Sequence, residues 1–541
     1  MCGIAVVYSK KEKIHHNLIK IAEKELSPRG PVSSTHYLGD DVYMFQSVLP
    51  IQTERVDEER CVYLPQNFKV TLYNGEIYDD HEYTSDTELI QESKDLSGTL
   101  NHADGMFAVC VVERFGNWFD VAGYRDLHGE KRLFYYDSSN LFIVSSTPRF
   151  ILKVMEEYQE PVRVNEVALK DYYVTRHYIS NSTSIKGIYQ LPIGSKLCFN
   201  GYSSVVPIWT PRKYLNKDLT KELYQLTYQQ YSKFTRDLLV KTINKMHENV
   251  MPHVATYSTI SGGVDSSIVT AMLEESSIKI QRAMTLTFNE KDRVALYAWK
   301  LFNKLKCKQL VRNIDIEEYY SSYLHCIEQL CSPVVAHDVP SANLMYEMME
   351  PESILYGGEG ADELFLGYKY YENCIKSEYA QPIRNRFELS FGQEINEDYD
   401  YAFDFFLDCG YNTKDAHVKA CSFVDYFHQL PNSTFQVLDL IGSHYGIECR
   451  TPFARKEVVI FGLNSPVHHI IGKKQLNDIF ENYFKVYPFP KQGFSGYPNE
   501  LYQFATTDFD RSKNIFGSYD IDRVTEWKYI NTEFFLEQFD L

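Results

Sequence analysis

Val254-Ala255-Thr256-Tyr257-Ser258-Thr259-Ile260-Ser261-Gly262-Gly263-Val264-Asp265-Ser266-Ser267 decides the fold. Val254 to Ile260 reads as a buried strand, and Asp265 to Glu275 as the helix after it. Ala283 to Phe288 reads as the next strand and Val294 to Lys306 as another helix. Strand alternating with helix implies a parallel sheet with crossovers. Small residues at the turn let backbone N–H groups face a phosphate, and a helix N-terminus favours an anion. A flexible Ser/Gly turn is the bland alternative, but it leaves the placement of the whole string between strand and helix unexplained. The loop is not a Walker A motif, because Gly-Lys-Ser/Thr is absent.

Working upstream, Leu219, Leu223, Leu226, Phe234, Leu238, Ile243 and Met246 recur at roughly helical spacing on one long segment. Pro207-Ile208-Trp209-Thr210-Pro211 reads as a linker. Before it the texture changes: short apolar segments such as Ile4–Tyr8, Val42–Phe45, Lys69–Tyr73, Phe107–Val112 and Leu141–Val144 alternate with Asn, Gly, Asp and Ser. That pattern suits strands joined by turns. Two domains are expected, 1–208 and 209–541.

Composition sets limits on this reading. Of 541 residues, 44% are hydrophobic and 24% charged, which excludes bulk disorder. The formal net charge of −18 disfavours a general polyanion binder, so no nucleic-acid partner is expected. No apolar run reaches the roughly 18 residues of a membrane span. Lys10, Lys11, Glu12 and Lys13 follow the start too soon for a signal peptide. The 11 cysteines contain no C-x-x-C pair, so neither disulfides nor zinc are expected. The expected compartment is the cytoplasm.

Cys2 follows Met1, and cysteine is small enough to permit Met1 removal. The residue would then carry a thiol beside a free α-amine of pKa about 7.7–8.0, so nucleophile and base would share one residue. Gly3 would let a substrate approach the backbone. Arg29-Gly30-Pro31, Tyr73-Asn74-Gly75-Glu76-Ile77-Tyr78, Ser85-Asp86-Thr87-Glu88, Asp104-Gly105-Met106-Phe107-Ala108 and Arg125-Asp126 follow in order. Together they resemble the class II, N-terminal nucleophile glutamine amidotransferase domain over roughly residues 1–200.

That resemblance implies an Ntn-hydrolase αββα sandwich in which Cys2 attacks the side-chain amide of glutamine. Asn74 and the Gly75 N–H would form the oxyanion hole. Asp86 would bind the glutamine α-amine, with Gly75-Glu76 in the glutamine-binding turn. Two positions depart from the family. The segment that usually carries a carboxylate-gripping Arg reads Phe45-Gln46-Ser47-Val48-Leu49-Pro50-Ile51, with Arg55 nearest, and the usual Arg-Gly-Pro-Asp ends in Val32.

Three more strings follow in the second half. Tyr356-Gly357-Gly358-Glu359-Gly360-Ala361-Asp362-Glu363 sets carboxylates among glycines, which suits Mg²⁺ beside phosphate. Gly446-Ile447-Glu448-Cys449-Arg450-Thr451-Pro452-Phe453 is preceded by Asp439, and Pro490-Lys491-Gln492-Gly493-Phe494-Ser495-Gly496 places a lysine among glycines. With the opening stretch they resemble the ATP-pyrophosphatase domain of glutamine-hydrolysing asparagine synthetases over most of residues 210–500. Gly357 stands in the place of a Ser, and Ala454-Arg455 in the place of Leu-Asp.

By this resemblance, ATP and Mg²⁺ are implied. Ser261, Gly262, Gly263, Ser266 and Ser267 would cradle pyrophosphate. Ile260, Thr285 and Gly358 would border the nucleotide. Asp265 and Asp362 would hold the metal, and Lys491 would stabilise charge on phosphorus. Glu359 would bind beside ATP and accept a proton from incoming ammonia. Adenylation would turn a carboxylate into a good electrophile, and ammonia kept from water stays neutral. An internal path from Cys2 to Glu359 is therefore expected.

Aspartate is the expected acceptor. Another carboxylate, intramolecular amide closure, or a degenerate regulatory protein are the alternatives. The acceptor pocket is expected along Ser332-Pro333-Val334-Val335-Ala336-His337-Asp338-Val339-Pro340-Ser341, where Ser332 replaces a frequent acid. A homodimer is a further implication of the family. His15-His16 and His468-His469 read as surface pairs. The aromatic tail, with Trp527, Tyr529, Phe534, Phe535 and Phe539, is expected to dock on the body or on a partner.

Overall fold

A computed structural model of the chain describes residues 2–52, 62–64, 69–116, 118–175, 177–179, 181–288, 293–334, 336–376, 393–489, 501, 504, 510–516 and 523–541. Lys491 with its loop, and Arg55, lie outside the described residues. The first six strands are β1 (Gly3–Ser9), β2 (Val32–Leu38), β3 (Val42–Val48), β4 (Val62–Leu64), β5 (Lys69–Ile77) and β6 (Gly105–Phe115). The next six are β7 (Trp118–Arg125), β8 (Phe134–Asp137), β9 (Leu141–Ser145), β10 (Ile188–Gln190), β11 (Ser195–Phe199) and β12 (Ser203–Pro207). They form two antiparallel sheets, β10-β8-β9-β1-β3-β2 and β12-β11-β7-β6-β5-β4.

Strand alternation builds the layers. Ile4, Val6, Val42 and Met44 of the first sheet meet Val70, Leu72, Ala108 and Cys110 of the second in one buried cluster. The outward-facing Ala5, Val7, Tyr43 and Phe45 pack under the helices Leu18–Glu25 and Pro148–Glu157. Tyr73, Phe107 and Val109 pack under the helices Asp86–Glu92 and Leu96–His102. The order helix, sheet, sheet, helix is the expected αββα sandwich.

The second half contains β13 (Thr256–Thr259), β14 (Ile280–Thr287), β15 (Gln309–Asn313), β16 (Ser353–Tyr356) and β17 (Ile447–Arg450). All pair in parallel, in the order β15-β14-β13-β16-β17. The chain winds outward from β13 to β15, then returns to β16 and winds the other way. The carboxyl ends of β13 and β16 therefore flank the switch point, where open parallel sheets bind ligands. The helix Val264–Glu275 springs from β13.

Several local readings change. The apolar segment 219–246 is two helices, Lys217–Gln225 and Tyr228–His247, because Thr227 and Gln230 form a capping box that restarts the chain. His469 is buried and its Nε2 meets the Leu226 carbonyl at 3.1 Å, so it is not a surface residue. The tail docks on the body: Ile530, Phe534 and Phe535 of the helix Arg523–Gln538 are buried against the helix Ile316–Leu330, and the buried Tyr529 meets Phe516. The ten described cysteines are free, and no described helix is long and apolar enough to cross a membrane.

Candidate active site

Cys2 sits just before β1, at the centre of one sheet, and is buried. Asn74 and Gly75 lie on β5 of the facing sheet. The Cys2 backbone N donates to Asn74 Oδ1 at 2.8 Å. With Oδ1 so engaged, Asn74 Nδ2 remains a buried donor without a partner among the described residues. An unspent donor beside a nucleophile is what an oxyanion hole requires. Gly75 has φ +151, and a Cβ there would lie 2.6 Å from Phe107 Cα, so glycine alone fits the close strand pairing. Gly3 answers a packing demand instead of admitting substrate: a Cβ would lie 2.7 Å from Ser47 Oγ and 2.8 Å from the Leu26 carbonyl.

Asp86 opens a helix capped by Ser85. Its Oδ2 accepts from Tyr73 Oη at 2.9 Å and the Ile77 N–H at 2.8 Å, and its Oδ1 meets His81 Nε2 at 3.0 Å. The hydrogen bond to Asp86 raises the His81 pKa above the usual imidazole value. On β3, Ser47 Oγ accepts from the Gly3 N–H at 3.0 Å and donates to the Leu26 carbonyl at 2.8 Å, while Gln46 Nε2 donates to the Tyr73 carbonyl at 3.2 Å. The residues in place of the family's Arg brace the strands.

The second site lies at the switch point. Gly263 caps the helix Val264–Glu275 with no side-chain hydrogen bond, leaving its first N–H groups to a ligand. Ser261 Oγ and Ser266 Oγ are 3.1 Å apart. A Cβ on Gly358 would lie 2.7 Å from the Asp265 backbone carbon, so this glycine lets the loops after β13 and β16 touch. Asp265 Oδ2 and Asp362 Oδ1 converge on Lys473 Nζ, at 2.5 and 2.7 Å. Burial works against the Lys473 charge, but the two carboxylates outweigh it and hold the pKa above the usual lysine value. A cation belongs between these carboxylates, and the donor set fits a Mg²⁺–phosphate site.

Glu359 is pushed up to about 7, first by burial and then by the charges of Asp265 and Asp338. Its Oε2 is buried and without a partner among the described residues. A Cβ on Gly357 would lie 2.8 Å from Glu359 Cδ, so the missing Ser side chain makes room for this carboxylate. Glu359 lines a cavity of about 400 Å³ with Ile260, Ser261, Gly263, Asp265, Ser266, Thr285, Gly358 and Asp362. The same cavity reaches Ser332–Val334 and Asp338 of the expected acceptor segment.

Two expected nucleotide residues do not line this cavity. Ser267 is fully buried and its Oγ donates to the Gly263 carbonyl at 2.6 Å, so it braces the helix turn. Gly262 makes the turn itself, at φ +79. Thr285 lines the cavity, but its Oγ1 is spent on the Ile260 carbonyl at 2.7 Å.

The two sites meet through buried charge. Glu76, one residue past Gly75, pairs with Arg450 Nη2 at 3.4 Å. Arg450 ends β17, lines the second cavity, and its carbonyl accepts the Gly357 N–H at 3.0 Å. Arg29 Nε donates to the Cys2 carbonyl at 3.1 Å and its Nη2 to Asp439 at 2.8 Å. Arg455, in the place of the family's acid, pairs with Asp104 at 3.4 Å and with Glu130. Sequence reasoning missed Lys473, whose signal was Gly472-Lys473 before a helix, and Tyr172, a first-half residue lining the second cavity.

The asparagine synthase family model matches residues 235–513, more than half of the chain, and the glutamine amidotransferase domain model matches residues 1–206. A Bacillus subtilis protein named glutamine-hydrolysing asparagine synthetase 1 is 23% identical over 402 residues, 69% of this chain and 60% of its own length. Two Methanocaldococcus jannaschii proteins carry the same kind of name. One is 22% identical over 422 residues, 71% of this chain and 78% of its own. The other is 22% identical over 516 residues, 87% of this chain and 81% of its own. Among solved structures, the B. subtilis glutamine phosphoribosylpyrophosphate amidotransferase aligns at TM-score 0.26 and 12% identity, over 51% of this chain and 64% of that one. The fold assignment rests on the strand topology.

Proposed function

This chain belongs to the asparagine synthase family of carbon–nitrogen ligases, and from that premise we propose that it moves the amide nitrogen of glutamine onto an ATP-activated carboxylate. Residues 1–208 release ammonia and residues 209–541 activate the acceptor. The link between the sites through Glu76 and Arg450 carries this reading, because it joins the strand bearing Asn74-Gly75 to the loop bearing Glu359.

The chain's own groups supply the steps. The Cys2 thiolate attacks the glutamine amide, its α-amine taking the thiol proton after Met1 removal. Asn74 Nδ2 and the Gly75 N–H receive the negative charge of the tetrahedral intermediate. Ammonia leaves and water hydrolyses the thioester. Asp86 holds the substrate amine, and Glu76, next on β5, holds Arg450.

At the second site the uncapped helix N-terminus, Ser261 and Ser266 hold the ATP phosphates, with Lys473 beside them. Mg²⁺, held by Asp265 and Asp362, would neutralise phosphate charge there. The acceptor carboxylate attacks the α-phosphorus and pyrophosphate leaves. Ammonia attacks the acyl carbon, Glu359 takes its extra proton, and AMP leaves with the amide formed. Lys491 is assigned to charge stabilisation at phosphorus.

Aspartate is the acceptor that the relatives' names suggest. A carboxylate with an apolar body is the second reading, favoured by Val334, Val339, Met345, Val437 and Leu438 in the cavity wall. The test is pyrophosphate release with Mg-ATP and glutamine against aspartate, short aliphatic monocarboxylates and sugar acids, with Cys2→Ala fed ammonia as control. Release with one acid, retained by the mutant on ammonia, supports the assignment. Glutaminase activity with no pyrophosphate from any acid would remove it.

A further inference from the structure

The acceptor segment is held in place by side chains from elsewhere, residue by residue. Ser184 Oγ donates to the Cys331 carbonyl. Tyr178 Oη and Ser332 Oγ share a hydrogen bond of 2.9 Å. Tyr172 Oη donates to the Pro333 carbonyl at 2.5 Å. Tyr319 Oη reaches the His337 carbonyl at 2.6 Å and Ser322 Oγ the Pro340 carbonyl at 2.7 Å.

Val334 is held from the far end of the chain. Asn531, on the helix Arg523–Gln538, is 1% exposed. Its Oδ1 accepts from the Val334 N–H at 2.6 Å, and its Nδ2 donates to the Val334 carbonyl. One side-chain amide thus satisfies both main-chain groups of one residue, as a strand neighbour would. Tyr323 Oη donates to the same Oδ1 at 2.6 Å and fixes which end of the amide faces which group. Glu533 anchors the helix by accepting from the Ser512 N–H at 2.9 Å and Ser512 Oγ at 2.8 Å.

Ser332, Pro333 and Val334 line the cavity that contains Glu359. A wall made of irregular backbone has no ladder to hold its shape, so its precision comes from these outside bonds. We propose that Asn531 is a positioning residue for the acceptor: the C-terminal helix, through Asn531, sets the wall against which the acceptor carboxylate is aligned for adenylation. The proposal rests on the amidation reading above. Asn531 touches neither glutamine nor ATP in this scheme, so it acts on acceptor binding alone.

The test compares wild type with Asn531→Ala and Tyr323→Phe. Hydrogen exchange on the ligand-free full-length protein reads the segment directly. Asn531→Ala should speed exchange in peptides covering 331–340 by about tenfold, as expected for loss of a buried hydrogen-bond pair. Peptides covering β1 and β5 should be unchanged. In the pyrophosphate assay, with the carboxylate that wild type uses best, acceptor KM should rise about tenfold while kcat stays within about twofold. ATP KM and glutaminase activity should not move. Tyr323→Phe, which removes only the orienting bond, should shift both readouts the same way by less.

Unchanged exchange and acceptor KM in both variants would overturn the proposal. So would a parallel fall in glutaminase activity and acceptor turnover, which would mark a global structural role. Wild-type protein that forms no pyrophosphate with any acid would overturn the amidation reading and this proposal with it.

Discussion

Glu359 shows how a single side chain is tuned. Its carboxyl titrates near pH 7 in place of 4.5 because it is buried beside Asp265 and Asp338. In the proposed role of base for ammonia's proton it must be ionised, so amide formation should rise with pH through about 7. The same shift affects stability. The unfolded carboxyl loses its proton near 4.5 and the folded one near 7, so the stabilisation is complete below 4.5 and lost as pH rises through 7. Urea unfolding at several pH values should show a smaller decline in Glu359→Gln than in wild type, the remainder coming from Glu363, whose carboxyl burial pushes up to about 8. Gly357→Ser restores the residue common in the family, yet its Cβ would crowd the Glu359 carboxylate. Amide formation should fall about tenfold while ATP-pyrophosphate exchange persists, since a misplaced base loses its proton-transfer advantage.

At the scale of elements, the turn after β13 was legible because everything that defines it is local: a strand, three small residues and a helix. Asn74-Gly75 reads as a turn because Asn-Gly is a turn signal, but it lies inside β5, where the close pairing with β6 at Phe107 is what requires the glycine. Lys473 was not legible, because its one local signal, Gly472-Lys473 before a helix, is shared by solvated lysines. Its role comes from Asp265 and Asp362, brought to it when β13 and β16 become neighbours. Lys473→Met leaves two half-buried carboxylates facing each other, and should lower the melting temperature in metal-free buffer. Millimolar Mg²⁺ should restore much of the lost melting temperature, because a cation binding only the folded state stabilises it. A melt that ignores Mg²⁺ would remove the metal assignment from this pair.

At the scale of the molecule, the parallel sheet of the second half followed from strand–helix alternation and the αββα sandwich of the first from the family resemblance, but the contact between the halves did not. Buried ion pairs join them, and their partners lie hundreds of residues apart: Arg29 with Asp439, Glu76 with Arg450, Asp104 and Glu130 with Arg455. Arg455 in the place of an acid reads in the sequence as decay. In the structure it is a buried cation between two carboxylates of the first half. Arg455→Asp would set three carboxylates together and should destabilise the protein by at least about 3–5 kcal/mol. A milder Arg455→Lys should keep the charge, lose the fork geometry, and lower glutamine-dependent turnover more than ammonia-dependent turnover.

The central claim is that nitrogen leaving glutamine at Cys2 ends on a carboxylate activated beside Glu359. The direct measurement is mass spectrometry of a reaction holding Mg-ATP, the active carboxylate, glutamine labelled with ¹⁵N in its side-chain amide, and unlabelled ammonium in the buffer. The predicted result is an amide product carrying the label, with AMP and pyrophosphate formed in equal amount. Unlabelled amide, or ADP and phosphate in place of AMP and pyrophosphate, would contradict it.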